Sequence, residues 1–185
     1  MRKFMIYIFS IFIVGCSSQK KLTGHTEALY QKLESGLENL NQSDNDTFYF
    51  KSENFNPVKI IFEKLENKLQ TTDSLIFVFS WINHLPMAGA NHLESIVYDL
   101  EKEKTYYLYN YRNDYKNIIV QEIRPDDFNT IDMVFENFQK GDIEYLKNQQ
   151  NQFSSAEMGQ DYLILKIHLG KDFIDTLVLE SITLK

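Results

Sequence analysis

One cysteine, Cys16, occurs in the 185 residues of this chain, so no disulfide forms within it and the folded part must stand on its core alone. Basic residues are also scarce: 19 Lys and Arg face 26 Asp and Glu, a formal charge of −7. Such a surface repels phosphates, which argues against nucleic acid as a partner. The sequence has no Gly-x-Ser-x-Gly elbow, no His-Glu-x-x-His pair and no phosphate-cradling glycine loop. Nucleophilic, zinc-peptidase and nucleotide chemistry therefore lack their usual carriers. There is no internal repeat or low-complexity tract. The apolar run from Phe4 to Val14 is too short to span a bilayer, since eleven residues in a helix reach about 16 Å against a hydrocarbon core of about 30 Å.

What is present at the N-terminus is an address. Arg2 and Lys3 precede the apolar run and small Gly15 follows it, the layout of a secretory signal whose positive end stays cytoplasmic. The residues Ile13-Val14-Gly15-Cys16 resemble the lipobox of bacterial lipoprotein precursors. That resemblance covers the signal alone. It implies a diacylglyceryl group on the Cys16 sulfur, cleavage after Gly15 and a further acyl chain such as palmitate on the new amino terminus; several chains make a stable anchor where one does not. Ser17 after the cysteine is similar to the version sorted to the outer membrane of Gram-negative bacteria. The resulting organisation is a removed signal peptide over 1–15, a lipidated cysteine and short tether over 16–24, and one domain over 25–185. Loss of Arg2 and Lys3 takes the formal charge from −7 to −9.

The mature length suits one domain. Leu29, Leu33, Leu37 and Leu40 predict a helix from Thr26 to Leu40, ending in a turn-rich stretch from Asn41 to Asp46 before a short strand, Thr47–Phe50. Asp44, Asn45 and Asp46 fail the EF-hand template because Phe48 stands where an oxygen ligand is required. Asn56 as cap and Pro57 as first helical residue open a second helix, with Ile61, Leu65 and Leu69 on its apolar face. The continuous β-branched and aromatic run Leu75–Ile82 reads as a buried central strand. Strands follow over His92–Leu100, Thr105–Tyr111 and Ile118–Ile123, joined by short polar connections that favour antiparallel hairpins. Arg124-Pro125-Asp126-Asp127 starts a helix carrying Phe128, Ile131, Phe135 and Phe138, a short helix spans Ile143–Gln149, and strands Asp161–Leu169 and Phe173–Leu184 close the chain around Gly170. The expected class is α+β, an antiparallel sheet of about five to seven strands with helices packed on it.

Three constellations are candidates for a site. The connection over 83–91 has an apolar tip containing Leu85, Pro86, Met87 and Ala88, and Leu85 and Met87 suggest a contact surface. His84, His92 and Glu94 around it are weak metal-ligand candidates, with His168 available further along; their spacing fits no metal motif, and no metal or other cofactor is expected. Tyr107, Tyr109 and Tyr111 alternate onto one strand face, where phenol rings stack on sugars or grip a peptide if that face is open and simply pack if a helix covers it. Asp126 and Asp127 are neighbours in a helix's first turn and point apart, so they are explained by the dipole.

These readings describe a membrane-attached, monomeric protein of the cell envelope, held through Cys16, whose partner is a protein or a glycan. A binding or structural module leads. An inhibitor or immunity-type lipoprotein that neutralises a cationic enzyme or toxin is the alternative suggested by small size, acidity and anchoring. No catalytic constellation is read, so an enzyme is a distant third.

Overall fold

The stripe of leucines from Leu29 to Leu40 builds helix α1, Gly24–Ser43. The structure is a computed structural model that describes residues 22–43, 52–81, 93–110, 117–149, 160–172 and 174–182. Helix α2 runs Ser52–Leu69, followed by strands β1 (Ser74–Trp81), β2 (Glu94–Asp99), β3 (Lys104–Asn110) and β4 (Ile118–Gln121). Helices α3 (Asn129–Lys140) and α4 (Ile143–Asn148) precede strands β5 (Gln160–His168) and β6 (Asp175–Ile182). All six strands form one antiparallel sheet in the order β4-β3-β2-β1-β5-β6, so the fold is a single α+β domain.

β1 occupies the middle of the sheet because its apolar run serves two layers at once. Leu75, Phe77 and Phe79 pack into a core with α1 and α2, while Ile76 and Val78 point the other way, into a second core with α3 and α4. A strand buried on both faces has no need of alternation. β1 to β4 pair in succession as hairpins; the chain then crosses the sheet through α3 and α4 and returns as β5 on the free side of β1.

Two helix starts differ from the sequence expectation. α2 begins at Ser52, ahead of Asn56 and Pro57, with the proline inside the helix. Near a helix start a proline removes one backbone donor and leaves most of the ladder intact. α3 begins at Asn129 instead of at Pro125; Asp126 and Asp127 form a turn in which the Phe128 N–H donates to the Pro125 carbonyl at 3.3 Å. Phe128 is buried against the sheet, and its docking sets where the helix begins. α3 ends in a Schellman motif: Gly141 has φ +80°, its N–H donates to Phe138 O at 3.1 Å, and the Asp142 N–H donates to Asn137 O at 2.9 Å.

The sheet has two distinct ends. At one lie the α2–β1 connection, the β2–β3 turn and the β5–β6 turn, since Ser74 pairs with His168, Leu75 with Asp99, and Asp99 with Lys104. At the other lie Ser80 paired with Glu94, Trp81 with Asp161, and Asn110 with Ile118. The chain joins the fold at the turn end. Leu22 is buried in the core, the Thr23 hydroxyl donates to Glu66 Oε1 at 2.9 Å, and His25 Nε2 lies 3.1 Å from Asp73 Oδ1. Among the described residues no helix is long and apolar enough to cross a membrane.

Candidate functional site

A glycine in the middle of α1, Gly36, lines a concavity beside the start of β6. Gly36 lets the helix approach the strand β6 side so closely that a Cβ there would stand 2.8 Å from Ile174 Cδ1. Beside this contact α1 and the start of β6 enclose a cleft of about 470 Å³, lined by Lys32, Ser35, Asn39 and Leu40 on the helix and by Asp172, Ile174 and Thr176 opposite. That size lies in the range of small-molecule sites. The wall offers one ammonium, one carboxylate, two hydroxyls and a carboxamide above an aliphatic floor, a set suited to hydrogen-bonding a polar ligand and without a nucleophile beside a base. Lys32 Nζ donates to the Lys171 carbonyl, tying the helix to the β5–β6 turn. An isolated glycine inside a leucine-striped helix is the sequence signal for this close approach, one that the leucine spacing alone does not disclose.

The tyrosines divide between the two layers. Tyr106 is buried on the α1–α2 side, with Lys68 Nζ 5.3 Å and Lys104 Nζ 5.8 Å from its ring centroid. Tyr107 and Tyr109 do share the other face, as the alternation predicts, and both are half-buried. Phe128 packs between them in edge contacts at 5.6 and 5.9 Å, and Tyr98 meets Phe135 at 5.5 Å. The rings of Tyr107 and Tyr109 therefore face the α3 layer. Tyr111 lies outside the described residues, as do Cys16, His84, Leu85, Met87 and His92, the acidic stretch from Asp44 to Asp46 and the strand expected over 47–50.

Glu94 is the described member of the proposed ligand set, buried at the start of β2. It belongs to the end opposite His168: Glu94 pairs with Ser80 and His168 with Ser74, a separation of about 20 Å along β1. The two do not meet. His168 Nδ1 instead accepts the Gly170 N–H at 3.1 Å inside its own turn. Among the described residues no three His, Cys, Asp or Glu side chains gather as a metal site would require.

Two buried carboxylates stand in contrast. Asp99, at the end of β2, accepts hydrogen bonds from the Thr72 hydroxyl, from the backbone N–H groups of Glu101 at 3.0 Å and Lys102 at 3.1 Å, and is paired with Lys102 Nζ. Burial alone would push its carboxyl up, but these donors together outweigh it and hold Asp99 below the usual carboxylate range. Asp132, in the first turn of α3, contacts Arg124 Nε and the Tyr107 hydroxyl. Here burial wins, opposed by Arg124 and reinforced by Glu136, and the carboxyl is pushed up. Tyr107 is raised in turn, by burial first and then by the Asp132 charge. Both groups are explained by the joints they hold, the β2–β3 turn and the foot of α3.

Comparison of the chain with protein-family models, with curated proteins and with solved structures finds no match.

Proposed function

We propose that this chain is a lipid-anchored protein of the cell envelope, attached through Cys16 to the outer membrane of a Gram-negative bacterium, and that its α+β domain is a binding or structural module. The observation that carries this reading is the N-terminal pattern: Arg2 and Lys3, the apolar run to Val14, then Gly15 and the sole cysteine of the chain. A cleft of ligand size with polar walls and an aliphatic floor suits a module that binds without transforming its ligand. Cys16→Ser tests the anchor. The variant should lose labelled palmitate and leave the membrane fraction; acylation and membrane retention at the wild-type level would overturn the reading.

The formal charge of −9 after signal removal favours one second reading, an inhibitor that neutralises a cationic enzyme or toxin at the envelope. Binding of that kind is steered by opposite charge and weakens steeply with salt. Titration of the mature protein with a lysozyme-like cationic enzyme at low and high ionic strength distinguishes the two. No binding at low salt rejects the inhibitor.

A further inference from the structure

We infer that the turn end of the sheet is the surface this protein presents to the lipid bilayer in which Cys16 is anchored, with Ile123 reaching the interface and the opposite sheet end directed away. The inference rests on the anchor proposed above and adds to it the orientation of the domain.

Chain length is the first argument. From Cys16 to Leu22 the backbone makes six steps, at most about 21 Å when fully extended. Leu22 is already 5% exposed, and Thr23 and His25 are tied to Glu66 and Asp73. The tether thus ends at the α2–β1 connection, on the same side as the β2–β3 and β5–β6 turns. The eight residues of β1 carry the opposite end about 25 Å further from that point.

Ile123 supplies the second. It follows β4 at the turn end and is 80% exposed, against 37% for Ile119 and 47% for Tyr145. Lys68 and Lys104 meet at the neighbouring Glu122, 2.6 and 2.8 Å from its carboxylate, while Arg124, next in the chain, turns to Asp132 and Asn129. An exposed apolar side chain beside two lysines that share one carboxylate suits the boundary between head groups and acyl chains, where the methyl groups leave water and the surplus positive charge lies among phosphates.

Charge is the third. A mature chain of −9 is repelled by anionic lipid unless the part nearest the surface is compensated. At this end Glu122 is paired with two lysines, Asp99 with Lys102, and Asp73 with His25, while Glu101 accepts the Asp73 N–H at 2.9 Å. Asp99 and Glu122 are therefore compensated by lysines, while Glu103 and Asp172 in the two turns stay exposed to water.

Depth-dependent quenching tests the orientation. The full lipidated chain is reconstituted in vesicles of phosphatidylethanolamine and phosphatidylglycerol containing a head-group nitroxide lipid, with one environment-sensitive fluorophore on Thr71→Cys, Ile123→Cys or Asn117→Cys. Positions 71 and 123 should be quenched several-fold more than position 117, which starts the β4 side of the opposite end. Equal or stronger quenching at 117, or none at all three, overturns the inference. Ile123→Ser should move position 71 toward its unquenched value without releasing the protein; unchanged quenching removes Ile123 from the contact. The mass of the Cys16 peptide reports the anchor separately. If it carries no acyl chain, the same labels are read on residues 16–185 with Cys16→Ser, held on chelator-lipid vesicles by a polyhistidine stub before residue 16. The same two patterns then decide the orientation although the anchor itself has failed.

Discussion

Lys102 Nζ lies 3.0 Å from Asp99 Oδ2, across a carboxylate that solvent does not reach. The lysine is itself half-exposed and also donates to the Lys68 carbonyl at 2.8 Å and to Thr72 Oγ1 at 3.0 Å. One side chain thereby joins the end of α2, the α2–β1 connection and the β2–β3 turn. The turn needs this support, because Glu103 takes a left-handed φ of +50° that a side chain with Cβ adopts at some cost.

Asp99→Ala should therefore destabilise the domain by about 3 kcal/mol in urea unfolding, because the buried Thr72 hydroxyl and two turn amides lose their acceptor together. Asp99→Asn keeps an acceptor and should lose less. A loss below about 1 kcal/mol for Asp99→Ala would mean that the turn holds without its carboxylate.

Acid should reveal the same group. The folded-state carboxyl of Asp99 is held below its unfolded value, so its contribution is fully present above the ordinary carboxylate range, about pH 4, and is lost as pH falls through the lower folded value. Melting temperature against pH should fall less steeply in that window for Asp99→Asn than for the wild type. Parallel curves would contradict the assignment.

Asp132 should behave in the opposite sense. Its folded-state carboxyl is raised, so its contribution is fully present below the unfolded value and is lost as pH rises through the folded one. Asp132→Asn removes that loss together with the Arg124 pair. At pH 7 its unfolding free energy should lie within about 1 kcal/mol of the wild type or above it. A deficit of about 3 kcal/mol or more would show the ion pair to be a net stabiliser.

Gly36 should discriminate by size. Alanine gains about 1 kcal/mol of helix propensity while pressing only on the terminal methyl of Ile174, so Gly36→Ala should sit near neutral. Gly36→Val should cost about 1–3 kcal/mol by overpacking. Combination with Ile174→Ala should recover part of that loss, and strict additivity would show that the two side chains do not meet.

Phe128→Ala should cost about 3–5 kcal/mol, the loss of a fully packed ring between Tyr107 and Tyr109. Nitration of the two tyrosines should accelerate as their α3-side cover is removed. Unchanged stability would indicate that this face is closed by something other than Phe128.

Much of the fold was legible because its signals are local. The leucine spacing of α1, the unbroken apolar run of β1, the acidic and basic turn after β2 and the alternation of Tyr107 and Tyr109 each depend on a few adjacent side chains. Local chemistry misled at two helix starts. Asn56-Pro57 reads as a helix start, yet α2 extends upstream of it. Pro125 with two aspartates also reads as a start, yet α3 waits until Phe128 has docked on β3.

The sequence by itself determined the order and type of most described elements, the antiparallel α+β class, the acidic balance and the absence of any internal cross-link, since each follows from residue identity and short-range periodicity. Only the tertiary structure decided that β5 returns beside β1, that helices cover both faces of the sheet, and that Glu94 and His168 lie at opposite ends. A strand's own residues state which faces must be buried. The choice of neighbour depends on the joint packing of side chains far apart in the chain, which fixes where the two cores close.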